Sequence, residues 1–447
     1  MYPRLKLFRS STVGIISENF KLLCDPWLVD GEYYGSWSHY PPYNLDENID
    51  EINSYDAIYI SHIHPDHCSE KTLKKISKDI PIYILSYHSK FLKFKLEKLG
   101  FNVNEIHNFE SKSLSRNFKI KIISADNCDP ELCYKFNGCA NILEKNETQQ
   151  IDSLALIEVG NIKILNLNDC PYDLAKSTFG KILKNSEIDL LMLGYGGAGP
   201  YPQCFQNLSH DEKIIEADSK RDSFLNNASK FINDLNPKYF LPFAGTYFLT
   251  GRLSSLQDLR GVPSIDYASD YLQKKIITKS KCIKLNVDNY LNLNNFKTSK
   301  EYTPYDEREV KEYMNTVLSK KKLSYELDDE VNNDEIFNLV KKAHLKYIKK
   351  IKELNIKLES NILIKVFKKY IFINNKENKV SLIDQDEIRS MNNYVIYDLD
   401  LKLLKRILMG PKYAHWNNAE IGSHINFFRK PNVFDRKIYN SICYLHI

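Results

Sequence analysis

The sequence lacks any run of about 18 consecutive apolar residues, the length that a helix needs to cross a bilayer. Its first residues, MYPRLKLFRSSTVGI, also lack the apolar segment of a secretory signal peptide. The nine cysteines are an odd number and are scattered without the spacing of a disulfide framework. Because reduced thiols are typical of the cytoplasm, these absences predict a cytoplasmic protein without membrane contact.

The sequence also has no large excess of positive or of negative residues. The chain holds 62 Lys and Arg residues against 57 Asp and Glu residues, a net charge of +5, and its lysines are interleaved with acids. The sequence has no basic stripe with interleaved aromatic residues, no zinc-finger spacing and no RNA-binding signature. Nucleic acid is therefore not an expected partner, and the charge gives only a mild preference for anionic ligands.

The length and the composition along the chain predict two domains. A chain of 447 residues is too long for one simple core. Residues 1–290 alternate short strand-like runs with helical segments, which predicts an α/β domain. Residues 291–330 are polar and charged and are expected to form a linker, and residues 331–447 predict a smaller α+β domain. No internal repeat is visible, and His415 and Trp416 are expected to pack between the domains.

Local patterns predict several individual elements. The segments SLALIEVG and NIKILNLND predict two strands joined as a hairpin by Gly160 and Asn161. SEKTLKKISKD predicts a helix capped by Ser69. DEIFNLVKKAHLKYIKKIKELN predicts an amphipathic helix capped by Asn333 or Asp334, and NYVIYDLDLKLLKRIL is expected to be strand-like. The apolar strands IDLLMLGYGG and KYFLPFAG break at glycines, where we expect loops that carry chemistry.

The segment YISHIHPDHCSE places three histidines and an aspartate within six residues. His62 and His64 are two residues apart, so on an extended segment they point to the same side. Asp66 and His67 follow on a turn shaped by Pro65. These four side chains could surround one metal ion or divide between two, and imidazole with carboxylate suits zinc or iron better than magnesium or calcium. The alternative is a solvated, hydrogen-bonded histidine turn.

The HIHPDH motif after a buried strand resembles the metallo-β-lactamase superfamily. The family fold is an αββα sandwich with metals at the edges of its sheets, so the resemblance implies this fold for residues 1–290. The strand ILNLNDC ends at Asp169, where the family places a carboxylate that bridges two metals. A helix cap before Pro171 is the alternative role for Asp169.

Two positions depart from the hydrolytic members of that family. Where they carry a third histidine, the loop SADNCDPE offers Asp126, Cys128 and Asp129. The last strand, which ends in a histidine in those members, is LPFAGTY here. Carboxylates in place of histidines make an oxygen-rich site, which shifts the expected metal from zinc toward iron. The full set of expected metal ligands is His62, His64, Asp66, His67, Asp126, Asp129 and Asp169.

A closer resemblance explains these departures. The blocks LLCDPWLVDGEYYGSWSHYPP, YISHIHPDHCSEKTLKKI, IKILNLNDC, GYGGAGPYPQCF and LNPKYFLPFAGTYF are similar to the CMP-N-acetylneuraminate hydroxylase family, and so is the ending HWNNAEIGSHINFFRKPNVF. Bacterial relatives hydroxylate the N-acetyl group of UDP-muramic acid. The resemblance implies one or two iron ions that activate O₂ for hydroxylation of the N-acetyl group of a nucleotide-activated amino sugar.

One part of those hydroxylases is missing. Their Rieske cluster needs both a C-x-H and a C-x-x-H pair, and this sequence contains no C-x-H pair. A separate electron-transfer protein is therefore an expected partner, unless the protein oxidises nothing. The rival function is hydrolysis of a phosphodiester, lactone or amide by a zinc-bound hydroxide, with Asp66 or Asp169 as the catalytic carboxylate. A third alternative is a non-catalytic subunit that binds a nucleotide sugar.

Four residues are expected to contact a nucleotide-sugar or phosphorylated-sugar substrate. Trp37 lies near a tyrosine pair and could stack on a base or sugar, although core packing is an equal alternative. Gly196 and Gly197 belong to the GYGGAG loop, whose backbone N–H groups could hold a phosphate, although it lacks the residues of a P-loop. Lys220 and Arg221 are expected to open a helix, where Arg221 could meet an anion; a solvated surface charge is the alternative. The sequence offers no convincing Ser or Cys nucleophile with a triad.

Overall fold

The computed structural model describes residues 2–87, 89–125, 152–183 and 187–447. The first of two seven-stranded sheets is formed largely by the N-terminal part of the chain. Its strands, in spatial order, are β16 (Tyr290–Asn292), β1 (Arg4–Arg9), β2 (Thr12–Ile16), β3 (Lys21–Cys24), β5 (Ala57–Tyr59), β6 (Ile82–Leu85) and β7 (Val103–Ile106).

The second sheet packs against the first. Its strands, in spatial order, are β15 (Lys281–Cys282), β13 (Tyr239–Phe243), β12 (Leu190–Gly194), β11 (Ile162–Asn166), β10 (Ser153–Val159), β9 (Phe118–Ser124) and β8 (Ser111–Ser115). The predicted hairpin is confirmed: β10 and β11 pair antiparallel through a turn in which Gly160 has a φ of 60°. Strands β11, β12 and β13 are parallel, so their carboxyl ends meet at one edge.

Helices cover the outer faces of both sheets. In chain order they are α2 (Ile49–Asn53), α3 (Glu70–Lys75), α4 (Phe91–Lys98), α5 (Tyr172–Leu183), α6 (His210–Leu235) and α7 (Ile265–Lys275). The short helix α1 (Glu32–Gly35) precedes them in the loop after β3 and does not cover a sheet. One apolar core joins the facing sides of the two sheets, and a second joins the outer side of the second sheet to α5, α6 and α7. Strands covered on both faces are apolar almost throughout, as in SLALIEV. This arrangement is the expected αββα sandwich.

Two helix starts bear on the predicted site. Ser69 caps α3 as expected, since its Oγ accepts from the backbone N–H of Thr72 at 3.1 Å. The prediction that Arg221 stands at the opening of a helix was wrong. Helix α6 begins at His210, because Ser209 and Glu212 form a reciprocal capping box there. Arg221 therefore lies in the middle of a long helix, far from the exposed N–H groups of its first turn.

The segment predicted as a linker is folded. It contains α8 (Glu307–Thr316) and two short 3₁₀ turns. Leu323 and Tyr325 are fully buried in a core that also contains Trp37 and Trp416. A two-stranded sheet of β4 (Trp37–Ser38) and β14 (Phe248–Leu249) lies beside this core. The boundaries of the linker stay a prediction, but its apolar side chains pack against both ends of the chain.

The C-terminal part contains a five-stranded sheet with helices, an α+β arrangement. The strands, in spatial order, are β19 (Lys379–Ile383), β18 (Lys369–Asn374), β17 (Asn361–Val366), β20 (Tyr394–Asp398) and β21 (Asn426–Lys430). The helices are α9 (Asn333–Glu353), α10 (Gln385–Arg389), α11 (Leu401–Leu408), α12 (Trp416–Ile421) and α13 (Arg436–Ile442). Among all described residues, no helix combines the length and apolarity needed to span a membrane.

Two local predictions for this part were wrong. The cap of α9 is Asn332, one residue earlier than expected, and its Oδ1 accepts from the N–H of Glu335 at 2.9 Å. The segment NYVIYDLDLKLLKRIL is a strand only as far as Asp398. Asp400 then caps α11, which buries Leu403 and other apolar side chains at helical spacing. The aspartate cap ends the strand because its carboxylate satisfies the first free N–H group of a helix.

Candidate metal centre

The histidine motif lies on a loop that follows β5 at the edge of the first sheet. His62 and His67 are buried, and His64 and Asp66 are half-buried. Nε2 of His62 lies 3.0 Å from Nδ1 of His64, so two ring nitrogens face the same space. Nε2 of His67 lies 3.6 Å from the Asp66 carboxylate. The motif therefore directs its side chains inward and is not a solvated turn.

Asp169 brings a carboxylate from the second sheet to the same place. It follows β11, and its Oδ1 lies 3.3 Å from Nε2 of His67. Its Oδ2 lies 3.9 Å from Nε2 of His62. The side chain is 39% exposed, compared with 15% for Asp66, so Asp169 is the more open of these two acids. The Asp169 carboxylate therefore lies between two imidazoles, and its role as a bridging ligand stays a prediction.

Asp152 is a site residue that the sequence patterns did not reveal. It stands directly before β10, and its Oδ1 lies 3.7 Å from Nε2 of His62. The potential ligand atoms of His62, His64 and Asp152 lie within 4.8 Å of one another, and so do those of His62, His67 and Asp169. One feature of the sequence could have predicted Asp152 as a site residue. It directly precedes the apolar strand SLALIEV, and the following strand ends near Asp169.

Asp25 orients His67 directly and His62 through Ser61, in both cases at Nδ1, the ring nitrogen that faces away from the ligand cluster. It follows β3 with a φ of 46°, and its Oδ2 accepts from Nδ1 of His67 at 2.8 Å. The same carboxylate accepts from the backbone N–H and the Oγ of Ser61, both at 2.7 Å. Oγ of Ser61 in turn accepts from Nδ1 of His62 at 2.9 Å. Because both rings donate through Nδ1, each directs Nε2 toward the shared space.

The histidines differ in their electrostatic surroundings. Burial lowers the pKa of His62 well below its usual range, and the neighbouring rings of His67 and His64 lower it further. Burial also opposes protonation of His67, but the carboxylates of Asp169 and Asp66 outweigh it and hold the pKa of His67 well above its usual range. A metal ion between these groups would take the place of that proton.

The pKa values of the two carboxylates from the second sheet, Asp152 and Asp169, are also shifted. Burial raises the pKa of Asp152 to about 8, and the charge of Asp169 adds to the effect. Burial also acts to raise the pKa of Asp169, but His67 and His62 outweigh it and hold that pKa below its usual range. Carboxylates and imidazole rings that point into one shared space are typical ligands of a metal ion. The residues present therefore fit a metal cofactor.

The predicted substrate residues lie in varied surroundings. Trp37 is 2% exposed and stacks on Tyr247, with ring centroids 3.6 Å apart. Gly196 and Gly197 follow β12, and a Cβ on Gly197 would collide with the ring of Phe224. Close packing therefore accounts for this glycine and for the burial of Trp37. Their contacts with a substrate stay a prediction.

Arg221 lies outside the cluster described above. Arg221 is 2.6 Å from Asp218 and 3.0 Å from Asp222, and it lines a cavity of 230 Å³. Its contact with an anion also stays a prediction. Asp126 and Asp129 fall outside the described residues. Within the described part of the chain, Asp152 supplies the carboxylate beside His62 and His64.

The C-terminal domain contacts the loop that supports Asp66. The hydroxyl of Tyr33 donates to Asp66, and the backbone carbonyl of Tyr33 accepts from Nε2 of His424 at 2.6 Å. The hydroxyl of the next residue, Tyr34, accepts from the backbone N–H of His415 at 2.6 Å. The expected packing of His415 between the domains is confirmed, and it occurs beside the metal centre.

Comparison with known proteins gives consistent matches. The chain is 29% identical over 242 residues to the cytidine monophosphate-N-acetylneuraminic acid hydroxylase of Xenopus laevis, an alignment that covers 52% of this chain and 36% of that protein. The chain thus spans about a third of the length of this relative. The structure is similar to CmlA, a diiron beta-hydroxylase from Streptomyces venezuelae, with 16% identity and a TM-score of 0.41 over 67% of this chain and 54% of that chain. It is also similar to Igni18, a metallo hydrolase from Ignicoccus hospitalis, with 11% identity and a TM-score of 0.40 over 68% of this chain and all of that chain.

A family model for the beta-lactamase superfamily domain matches residues 4–244. This region contains both sheets of the sandwich except two edge strands, together with His62, His67, Asp152 and Asp169. The match covers more than half of the 447 residues. With its fold and its cluster of histidines and aspartates, this chain belongs to the metallo-β-lactamase superfamily.

Proposed function

We propose that this protein is an iron-dependent hydroxylase that acts on the N-acetyl group of a nucleotide-activated amino sugar and receives electrons from a separate protein. The observation that carries the proposal is the position of Asp152. It places a carboxylate beside His62 and His64, so a metal held there would have an oxygen ligand as well as the two imidazole nitrogens. The site is thereby richer in oxygen ligands, which favours iron over zinc.

The ligands divide into two groups that Asp169 can join. His62, His64 and Asp152 form one group, and His67 with Asp66 lies beside it. Asp169 reaches both His62 and His67. These residues would be able to hold one or two ions, and Asp169 is within reach of both groups. Zinc is the alternative metal.

The identity of the relatives supports the reaction class. The matched proteins are named as hydroxylases of cytidine monophosphate-N-acetylneuraminic acid. That similarity covers about half of this chain. An N-acetyl group and a nucleotide in the substrate of this protein are therefore proposals. Trp37, Gly196, Gly197 and Arg221 remain the proposed contacts for the substrate, which would be a nucleotide sugar or a phosphorylated sugar.

Iron, when bound, would supply the activation of O₂. Hydroxylation inserts one oxygen atom into a C–H bond and reduces the other to water, which consumes two external electrons and two protons. Asp25 and Ser61 hold the histidine rings in place, so little reorganisation accompanies the reaction. Tyr33 donates to Asp66 and holds that carboxylate in place. Asp169 is partly exposed, so the substrate would approach from its side.

The test is reconstitution of the reaction. Protein loaded with ferrous iron is incubated with O₂ and either a CMP-linked or a UDP-linked N-acetyl sugar. We expect no product until a reductase and an iron–sulfur carrier are added, and then an N-glycolyl product that is heavier by one oxygen atom in mass spectrometry. The matched control is the His62→Ala, His64→Ala double variant with the same electron-transfer proteins.

Other outcomes would contradict the proposal. Hydrolysis of the same substrates by the zinc-loaded protein without O₂ would establish the rival hydrolase, in which Asp66 or Asp169 assists a metal-bound hydroxide. Tight binding of the nucleotide sugar without turnover under either condition would establish a non-catalytic binding subunit.

A further inference from the structure

The three histidines of the centre each have one ring nitrogen left over for a supporting contact. His67 uses Nδ1 to reach Asp25, and His62 uses Nδ1 to reach Ser61. Both supporting residues belong to the first sheet or to the loop after it. For these two rings, the support comes from the N-terminal domain itself.

His64 is oriented the other way. Its Nδ1 is the nitrogen that faces Nε2 of His62 at 3.0 Å, so Nε2 is the nitrogen that remains. The side chain of Asn417 is a hydrogen-bonding neighbour of the His64 ring. Asn417 lies in the first turn of α12, which belongs to the C-terminal domain. The third histidine is therefore supported from across the domain boundary.

Helix α12 is held firmly at that position. His415 is its cap, with Nδ1 accepting from the backbone N–H of Asn417 at 3.2 Å. The backbone N–H of His415 donates to the hydroxyl of Tyr34 at 2.6 Å. Trp416 is 1% exposed, and its Nε1 donates to the carbonyl of Leu445 at 3.1 Å. Contacts from both domains thus fix the backbone of Asn417. The position of its side chain is therefore set before a metal binds.

We propose that Asn417 is a positioning residue of the metal centre, and that the C-terminal domain completes the centre by holding His64 through this contact. The inference rests on the metal centre of the proposed function, but not on the reaction catalysed there. In the proposed contact, the Oδ1 of Asn417 accepts from Nε2–H of His64, the ring nitrogen that does not face His62. This fixes the tautomer in which Nδ1 carries a free lone pair directed at the site shared with His62 and Asp152.

The experiment measures metal affinity in the full-length protein. Asn417→Leu keeps the branched shape of the side chain but removes the acceptor, whereas Asn417→Asp keeps an acceptor. Binding of ferrous iron without O₂, and of zinc in a parallel series, is measured by competition with a chelator of known affinity. We expect Asn417→Leu to bind about 10- to 100-fold more weakly, the usual cost of losing such a support. We expect Asn417→Asp to bind at least as tightly as the unmodified protein.

A neighbouring residue provides the control. Asn418 lies on the same helix and contacts Tyr34 instead of a histidine of the motif. Asn418→Leu should disturb the domain contact to a similar extent and leave the metal affinity unchanged. The ring tautomer of His64, observed by ¹⁵N NMR of the zinc-loaded protein, should be fixed in the unmodified and Asn417→Asp proteins and mixed in Asn417→Leu.

Each remaining outcome overturns the proposal. If Asn417→Leu binds metal as tightly as the unmodified protein, His64 does not need the contact. If Asn417→Asp or Asn418→Leu loses affinity as much as Asn417→Leu, the effect comes from packing of α12 and not from the hydrogen bond. If the unmodified protein binds no metal, the proposed centre fails as a whole, a result distinct from a failure of Asn417.

Discussion

The carboxylate of Asp152 lies 3.7 Å from Nε2 of His62, and the two residues come from different sheets of the sandwich. His62 follows a strand of the first sheet, and Asp152 precedes a strand of the second. Asp169 also comes from the second sheet and reaches the same histidine. The candidate centre therefore exists only when the two sheets are packed together, which ties metal binding to folding.

The first prediction concerns the histidine pair. His62→Ala combined with His64→Ala should remove bound metal, because two of the three members of one ligand group are lost. Most of the sandwich should stay folded, since these residues lie on a loop at the sheet edge. The measurements are metal content by elemental analysis and secondary structure by circular dichroism.

A matched variant tests whether the loss is specific. His107 and His210 are exposed histidines away from the cluster, and His107→Ala combined with His210→Ala should keep the full metal content. Unchanged metal in the His62 and His64 variant would overturn the assignment of the site.

The second prediction concerns the choice of metal. Asp152→His should shift the preference of the protein from iron toward zinc, because it replaces an oxygen ligand with a nitrogen ligand. Asp152→Asn should weaken the binding of both metals by removing a charged ligand. The ratio of zinc to iron affinity, measured by chelator competition, is the observable, with the exposed-surface variant Asp50→Asn as the control. An identical ratio in all three variants would show that Asp152 does not contact the metal.

The third prediction is that the C-terminal domain cannot be detached. One apolar core contains Trp37 and Tyr247 from the first domain and Trp416 and Phe427 from the second. Truncation after residue 300 would expose this surface to water, and exposed apolar patches of this kind cause association. We expect the fragment to aggregate, as measured by light scattering during refolding. A soluble 1–300 fragment with full activity would contradict this.

The fourth prediction concerns a buried acid in the C-terminal domain. Glu420 is 8% exposed, its Oε1 has no hydrogen-bond partner among the described residues, and burial raises its pKa to about 8. In the unfolded chain the pKa of a glutamate is about 4.3. The folded state therefore binds more protons between these two values, so this group's contribution to stability is complete below the lower value and is lost as the pH rises toward the upper one.

Glu420→Gln should remove that dependence. The variant should match the unmodified protein near pH 4 and exceed it in stability near pH 8, with a difference that grows by up to about 1.4 kcal/mol per pH unit across the window. Urea unfolding of metal-free protein at several pH values measures this. Parallel stability curves for the two proteins would show that Glu420 is ionised or solvated in the folded state.

The sequence by itself determined the features that depend on near neighbours. The HIHPDH spacing predicts that its side chains share one space, and Ser69 predicts the start of α3, because both patterns act within a few residues. Asp169 followed from its place at the end of a strand within a family pattern. The α/β class followed from the alternation of strands and helices, and the αββα arrangement followed from the same resemblance.

Tertiary structure alone decided the partners that come from distant segments. Asp152, Asp25 and Asn417 reach the histidines from three separate parts of the chain. No periodicity marks such residues, since their proximity is set by strand order, sheet packing and the docking of α12. The same holds for the burial of Trp37, whose ring stacks on Tyr247 from a distant part of the chain. Local hydrogen bonds and apolar spacing can be predicted from the sequence. The long-range contacts of these residues depend instead on how the apolar faces of the sheets and of the two domains pack together.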